Sequence, residues 1–401
     1  MNLLIVSTKY GGGGAEKVAR QHFEAARAAG HNVRMLARHH AKHESSVDKF
    51  PHWREERLVG RARRLGYLDT AFPLGTLAHW KDLFHWSDVI HLHNIHGNFF
   101  PFWLVPLLAR RKPLFWTLHD CWSFTGGCGF PGDCARWRAG CGRCPQLGIE
   151  CMAPRDRSAD FIRWKRWGFS FPRCTIIAPC RWMAEQTRQS RCFGRAEIRV
   201  IPYGVDEKVF RPKKINSSRR FGIPSNGFAV ALMAAGLTTP RKGIPFALRA
   251  LALIKTPLYV LLIGRRSEGL SSDIRKAGHF PLPIPFTTDE AEIAAALQEA
   301  DLFWCPSLAD NSPLVIHEAL ACGVPVLAFA AGGIPELIQQ ERTGAVVPKQ
   351  DVSALAGYTN QLLKNPEKRR CWGKAARKWI LEHRTLKHFE TAYLNLLDKK
   401  R

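Results

Sequence analysis

Short apolar runs alternate with stretches of helical spacing along almost the whole chain. Residues 3–7 form a β run that leads into Gly11, Gly12, Gly13 and Gly14. Residues 15–29 carry Val18, Phe23 and Ala26 at helical spacing, Gly30-His31-Asn32 stops that helix, and residues 33–37 are the next strand. Residues 89–93, 113–118 and 175–178 are further short strands. The alternation resumes after residues 198–202, with strands at 228–234, 258–263, 302–305 and 325–329. Helices fall at 244–254, 290–300, 313–322, 352–363 and 366–383. Such alternation builds a doubly wound parallel sheet, and its occurring twice predicts an α/β protein of two similar domains with a cleft between them. The polar stretch 211–218 is the predicted hinge.

A chain of 401 residues is too long for one compact core, which agrees with two domains. An apolar fraction of 46% with 23% charged residues excludes a disordered chain. Charge changes the picture more. There are 59 Lys and Arg against 34 Asp and Glu, a net +25. That excess points to an anionic partner: nucleic acid, a membrane surface or a phosphorylated substrate. The start Met1-Asn2-Leu3-Leu4-Ile5-Val6 has no basic region before its apolar run, so no leader is expected. The longest apolar stretch, 99–109, is broken by Pro101 and Pro106 and is about half the length a membrane helix needs. A cytoplasmic protein with reduced thiols is the expectation.

Several segments carry chemistry. Backbone N–H groups at Gly11–Gly14 open a helix and suit either close approach to a phosphate or sugar, or a plain tight turn. Asp310 lies in a loop after a predicted strand, and Glu318 lies one to two turns into the next helix. Carboxylates so placed accept from vicinal hydroxyls, while the helix start at Ser312, Pro313 and Leu314 offers N–H groups to a phosphate. The bland alternative is a helix cap at Asp310 and a surface Glu318. Arg241 and Lys242 precede Gly243 on a loop, suited to a diphosphate or simply solvated. His119 ends the strand Trp116-Thr117-Leu118, and the run 91–98 (His91-Leu92-His93-Asn94-Ile95-His96-Gly97-Asn98) ends another. Cys128, Cys134, Cys141 and Cys144 fall within seventeen residues of a glycine-rich loop. Four such thiols suit a closed structural zinc site, with free thiols or disulfides as alternatives.

Together these residues resemble the retaining family-4 glycosyltransferases of the GT-B fold, in which two Rossmann-like domains face a central cleft. The family's Glu-x7-Glu motif and the Ala-x-Ala-x-Gly-x-Pro-Val that follows correspond to Asp310, Glu318 and residues 319–326. The resemblance implies that Glu318 holds the nucleotide ribose and Asp310 the donor sugar's hydroxyls. It implies that Lys242, with Arg241 standing in for an Arg the family carries where this chain has Leu237, grips the donor diphosphate. His119 would lie against the donor sugar and diphosphate. Gly12, Gly13, Gly14, Glu318, Ser312, Pro313 and Leu314 would line the donor site. Residues 1–202, completed by a helix near 380–401, would form the acceptor-side domain, and residues 203–379 the nucleotide-sugar domain. A colanic-acid-like subset from bacterial polysaccharide assembly carries a cysteine loop like this one. The expected activity is retaining transfer from a nucleotide-diphosphate-sugar to a lipid-linked or oligosaccharide acceptor, with no catalytic metal. A glycogen-synthase-like elongating enzyme, and a non-catalytic sugar-nucleotide or nucleic-acid-binding protein on the same scaffold, are the alternatives.

Residues 151–200 hold eleven Lys and Arg against four Asp and Glu, and Arg163-Trp164-Lys165-Arg166-Trp167 interleaves cations with aromatics. Interleaving of this kind suits an anionic bilayer, whereas no recognition motif for nucleic acid accompanies the charge. A peripheral position on the inner face of the cell membrane is therefore expected, with an ordinary solvated face as the alternative.

Overall fold

The computed structural model describes residues 1–40, 46–49, 56–70, 74–97, 100–151, 153–170, 173–213 and 219–399. Most of the predicted hinge, residues 214–218, and Asn98 of the histidine-rich run lie outside the described residues. The chain divides into two compact units, Met1–Pro202 with Glu390–Arg401, and Tyr203–Phe389.

The first unit is built on β1 (Asn2–Tyr10), α1 (Gly14–Ala28), β2 (Asn32–His40), β3 (Val47–Lys49), α2 (Glu56–Arg64) and α3 (Leu74–Trp86). It continues through β4 (Val89–Leu92), α4 (Leu104–Arg111), β5 (Leu114–Thr117), α5 (Arg136–Ala139), α6 (Ser158–Gly168), β6 (Cys174–Ala178), α7 (Arg181–Ser190) and β7 (Glu197–Val200). Its seven strands run in the order β3-β2-β1-β4-β5-β6-β7, and every pairing is parallel. β4, β5 and β6 are buried at every position, as strands covered on both faces must be. The apolar stretch around α4 is not broken where the sequence suggested. Pro106 is the third residue of α4, in the first turn, where a missing N–H costs nothing.

The second unit comprises β8 (Ala229–Gly236), α8 (Ile244–Leu251), β9 (Tyr259–Arg265), α9 (Ser271–Lys276), β10 (Phe280–Ile284), α10 (Glu290–Leu297) and β11 (Leu302–Cys305). It continues with α11 (Leu314–Ala321), β12 (Val326–Phe329), β13 (Gly344–Val347), α12 (Val352–Lys364) and α13 (Pro366–His383). Its six strands run β10-β9-β8-β11-β12-β13, again all parallel. β10 was hidden in the sequence by Pro281 and Pro283. Both are tolerated because β10 is an edge strand paired only with β9. The last helix, α14 (Leu386–Asp398), starts in the second unit, and its residues from Glu390 onward belong to the first. Among the described residues no helix is long and apolar enough to cross a membrane.

Candidate active site

In the second unit, two loops at strand carboxyl ends meet. The loop after β8 closes in a short 3-10 turn, Pro240–Lys242, and Gly243 follows with φ +68°. A Cβ on Gly243 would overlap the carbonyl oxygen of Pro306, so glycine lets this loop press against the one after β11. The Leu308 N–H donates to the Arg241 carbonyl at 2.7 Å and ties the loops together. Lys242 Nζ then lies 2.6 Å, and Arg241 Nη1 3.4 Å, from Oδ2 of Asp310. The same arginine nitrogen reaches the Ala309 carbonyl at 3.5 Å. Oδ1 of Asp310 accepts from the Asn311 N–H at 3.1 Å. Burial works to raise the Asp310 carboxyl, but the charges of Lys242 and Arg241 outweigh it and hold the group below its usual 3.8. Gly332 passes beneath: a Cβ there would overlap the Asp310 carbonyl oxygen.

α11 begins just beyond this cluster. Its cap residue, Pro313, is extended and offers no side-chain cap, so the helix's first N–H groups have no side-chain acceptor there. Ser312 is buried, with its hydroxyl 3.4 Å from His317 Nε2. Leu314 is the first helical residue, and Glu318 is the fifth and is buried. Its charge is felt by Cys322, whose thiol is pushed up to about 12, by burial first and Glu318 second.

The first unit holds the remaining predicted residues. Gly13 caps α1 with extended backbone and no side-chain bond, after Gly11 and Gly12 at φ +83° and +118°. The α1 start is not bare, however. The carboxylate of Glu16, in the first turn, lies directly against Gly13, so an anion arriving near Gly12, Gly13 and Gly14 meets a negative charge. His119 Nε2 lies 2.8 Å from His93 Nδ1, and burial lowers His119 to about 4. His96 Nε2 bonds Asp120 at 2.9 Å. Burial opposes the charge on His96, yet the Asp120 carboxylate raises it above 6.5. His91 is wholly buried between Tyr393 Oη at 3.0 Å and Thr117 Oγ1 at 2.8 Å. Sequence patterning missed His22 of α1, whose ring centroid lies 4.7 Å from that of His91 and 5.0 Å from that of His93. The available signal was its spacing from Val18, four residues earlier on the buried face.

The cysteine loop differs from the expected grouping. Cys128 packs with Cys144 and Cys151 in a small apolar cluster, and its thiol donates to Cys151. Cys141 packs on the main core instead, and Cys134 is half-buried. The structure places Cys151, a residue outside the predicted set, in the same small cluster as Cys128 and Cys144.

The Arg163–Trp167 segment, within α6, is also not all surface. Lys165 is fully buried, donates to the carbonyls of Trp122 and Thr125, and stands 3.8 Å over the Trp122 ring. Arg166 donates to the carbonyls of Trp137, Arg138 and Ser190 at 2.9, 2.7 and 3.1 Å. Two of the three cations are thus used internally, whereas Trp164 is 40% and Trp167 82% exposed. These two tryptophans border an apolar groove of about 630 Å³ with Phe102, Trp103, Leu107 and Arg110.

Residues 12–209 match the model of Glycosyltransferase Family 4, and residues 219–379 that of Glycosyl transferases group 1. The chain belongs to glycosyltransferase family 4. This family-4 protein is 28% identical over 257 residues to the putative colanic acid biosynthesis glycosyl transferase WcaC of Escherichia coli K12. That match covers 62% of the chain and 60% of the relative. The fold resembles sucrose-phosphate synthase from Thermosynechococcus elongatus at TM-score 0.72 and 20% identity, over 99% of this chain and 98% of that one. It resembles Anabaena HepE, solved with UDP and glucose, at TM-score 0.69 and 17% identity, over 99% of both chains. These likenesses show the GT-B fold.

Proposed function

We propose that this family-4 protein is a retaining glycosyltransferase that moves a sugar from a nucleotide-diphosphate-sugar to a lipid-linked or oligosaccharide acceptor in surface polysaccharide biosynthesis. The observation that carries the proposal is the convergence of Lys242 and Arg241 on the buried Asp310, beside the start of α11 and Glu318. Two cations and a helix start supply the positive potential that a departing nucleoside diphosphate needs, without a catalytic metal. Glu318 accepts from the ribose hydroxyls and Asp310 from hydroxyls of the donor sugar. The diphosphate then takes the place of the Asp310 carboxylate as the anion facing Lys242. The bond from the sugar's C1 to the diphosphate oxygen breaks as the acceptor oxygen bonds C1 on the same face. The acceptor's proton passes to the departing phosphate oxygen. His119 lies against the donor sugar.

Residues 1–202 take the acceptor side and residues 203–379 the donor side. The acceptor-side unit meets an anionic membrane surface through the groove edged by Trp103, Trp164 and Trp167, with Arg110 at its rim. Zinc in the cysteine loop remains part of the proposal. The test is transfer by purified protein from a panel of nucleotide-sugars to a lipid extract. Lys242→Ala and Glu318→Ala each lower transfer by at least about 100-fold, a range common for lost electrostatic groups, while both fold normally. Full activity in both variants contradicts the proposed site.

A further inference from the structure

Three histidines from distant positions in the sequence meet inside the first unit. His22 comes from the buried face of α1, His91 from β4, and His93 from the residues just beyond it. Each can offer one ring nitrogen such that all three lie within 4.8 Å of one another, and among the described residues this is the one set of three or more His, Cys, Asp or Glu that does so. All three side chains are at most 1% exposed. We propose that His22, His91 and His93 form a buried site for a divalent transition metal of the zinc class.

Three observations support the site. Nε2 of His93 is buried and makes no hydrogen bond, while its Nδ1 lies 2.8 Å from His119 Nε2. A metal on Nε2 would leave the proton on Nδ1, where it donates to His119: the arrangement in which a ligating imidazole is held by its other nitrogen. His91 has a hydroxyl at each nitrogen, from Thr117 and Tyr393, so whichever nitrogen binds, the other keeps a partner. A set with only nitrogen donors suits zinc, cobalt, nickel or copper rather than magnesium or calcium. A metal here would join α1 to β4 beneath His119, in a different unit from the Lys242–Asp310 cluster.

The experiment uses the full chain, stripped with a chelator and reloaded with Co²⁺ alone. The Cys128→Ser/Cys144→Ser variant serves as the background, so that the cysteine loop is not the source of the signal. Its expected spectrum shows the visible bands of tetrahedral cobalt without the near-ultraviolet band of a thiolate–cobalt bond, and those bands disappear when His93→Gln is added. Added Zn²⁺ raises the thermal midpoint of the stripped background protein but not that of the background carrying His93→Gln. Should His93→Gln fail to fold, the background protein decides alone: no cobalt retained after desalting, or a spectrum dominated by thiolate bands, overturns the site. Cobalt bands that survive in folded protein carrying His93→Gln in this background overturn it as well.

Discussion

The Asp310 carboxylate lies in the protein interior beside two cations, and its ionisation is coupled to the fold. Lys242 and Arg241 hold it below 3.8 despite burial. A carboxyl depressed in the folded state adds stability above its unfolded pKa and loses it as the pH falls through the folded value. Asp310→Asn is therefore expected to be less stable than wild type by about 1–3 kcal/mol near neutral pH, because two partly buried cations lose their anion. The gap closes below pH 3.8, as the wild-type carboxyl itself takes up a proton. Urea unfolding of both proteins across this range checks it; a gap independent of pH contradicts the ion pair. At this scale Asp310, Lys242 and Glu318 were singled out by their spacing together with the resemblance to family-4 glycosyltransferases. The Lys242–Asp310 contact was not legible, because 68 residues separate the partners and the loops meet through the packing of Gly243 on Pro306 and the Leu308–Arg241 backbone bond. His22 was illegible for a related reason: periodicity shows which face of α1 is buried, not what that face meets.

At the scale of elements, α6 shows how one helix serves two ends. Its inward cations, Lys165 and Arg166, hold carbonyls of the segment after β5 and of the 137–139 turn. Its Trp164 and Trp167 stay outside and edge the groove with Trp103 and Leu107 of the α4 region. Composition showed the interleaving of cations and aromatics but not their division, since a run of alternating residue types reads the same on any helix until its neighbours are known. If the groove meets a bilayer, wild type floats with vesicles containing anionic lipid and stays behind with neutral ones. A Trp167→Ser variant loses much of that binding while its unfolding midpoint stays near wild type, because Trp167 is 82% exposed. Equal flotation of variant and wild type would remove the groove from the membrane proposal. Strands were legible where they were apolar throughout, as at β11 and β12. β10 was not, because two prolines on an edge strand look like a loop in one dimension.

For the whole molecule, the +25 charge has been divided among distinct tasks. Part of it is internal, as with Lys165 and Arg166, and part converges on Asp310. The two parallel sheets follow from the twice-repeated strand–helix alternation, which is why the fold class was readable while the meeting of the buried histidines was not. The central claim is that Lys242, Arg241 and Glu318 form a site for a nucleoside diphosphate that needs no metal. Calorimetric titration of UDP and GDP into the purified protein, with a chelator present, tests it most directly. Saturable binding of one of them by wild type, weakened at least about tenfold in both Lys242→Ala and Glu318→Ala, is the predicted result. Absence of binding by wild type, or binding by both variants as tight as wild type, would contradict it.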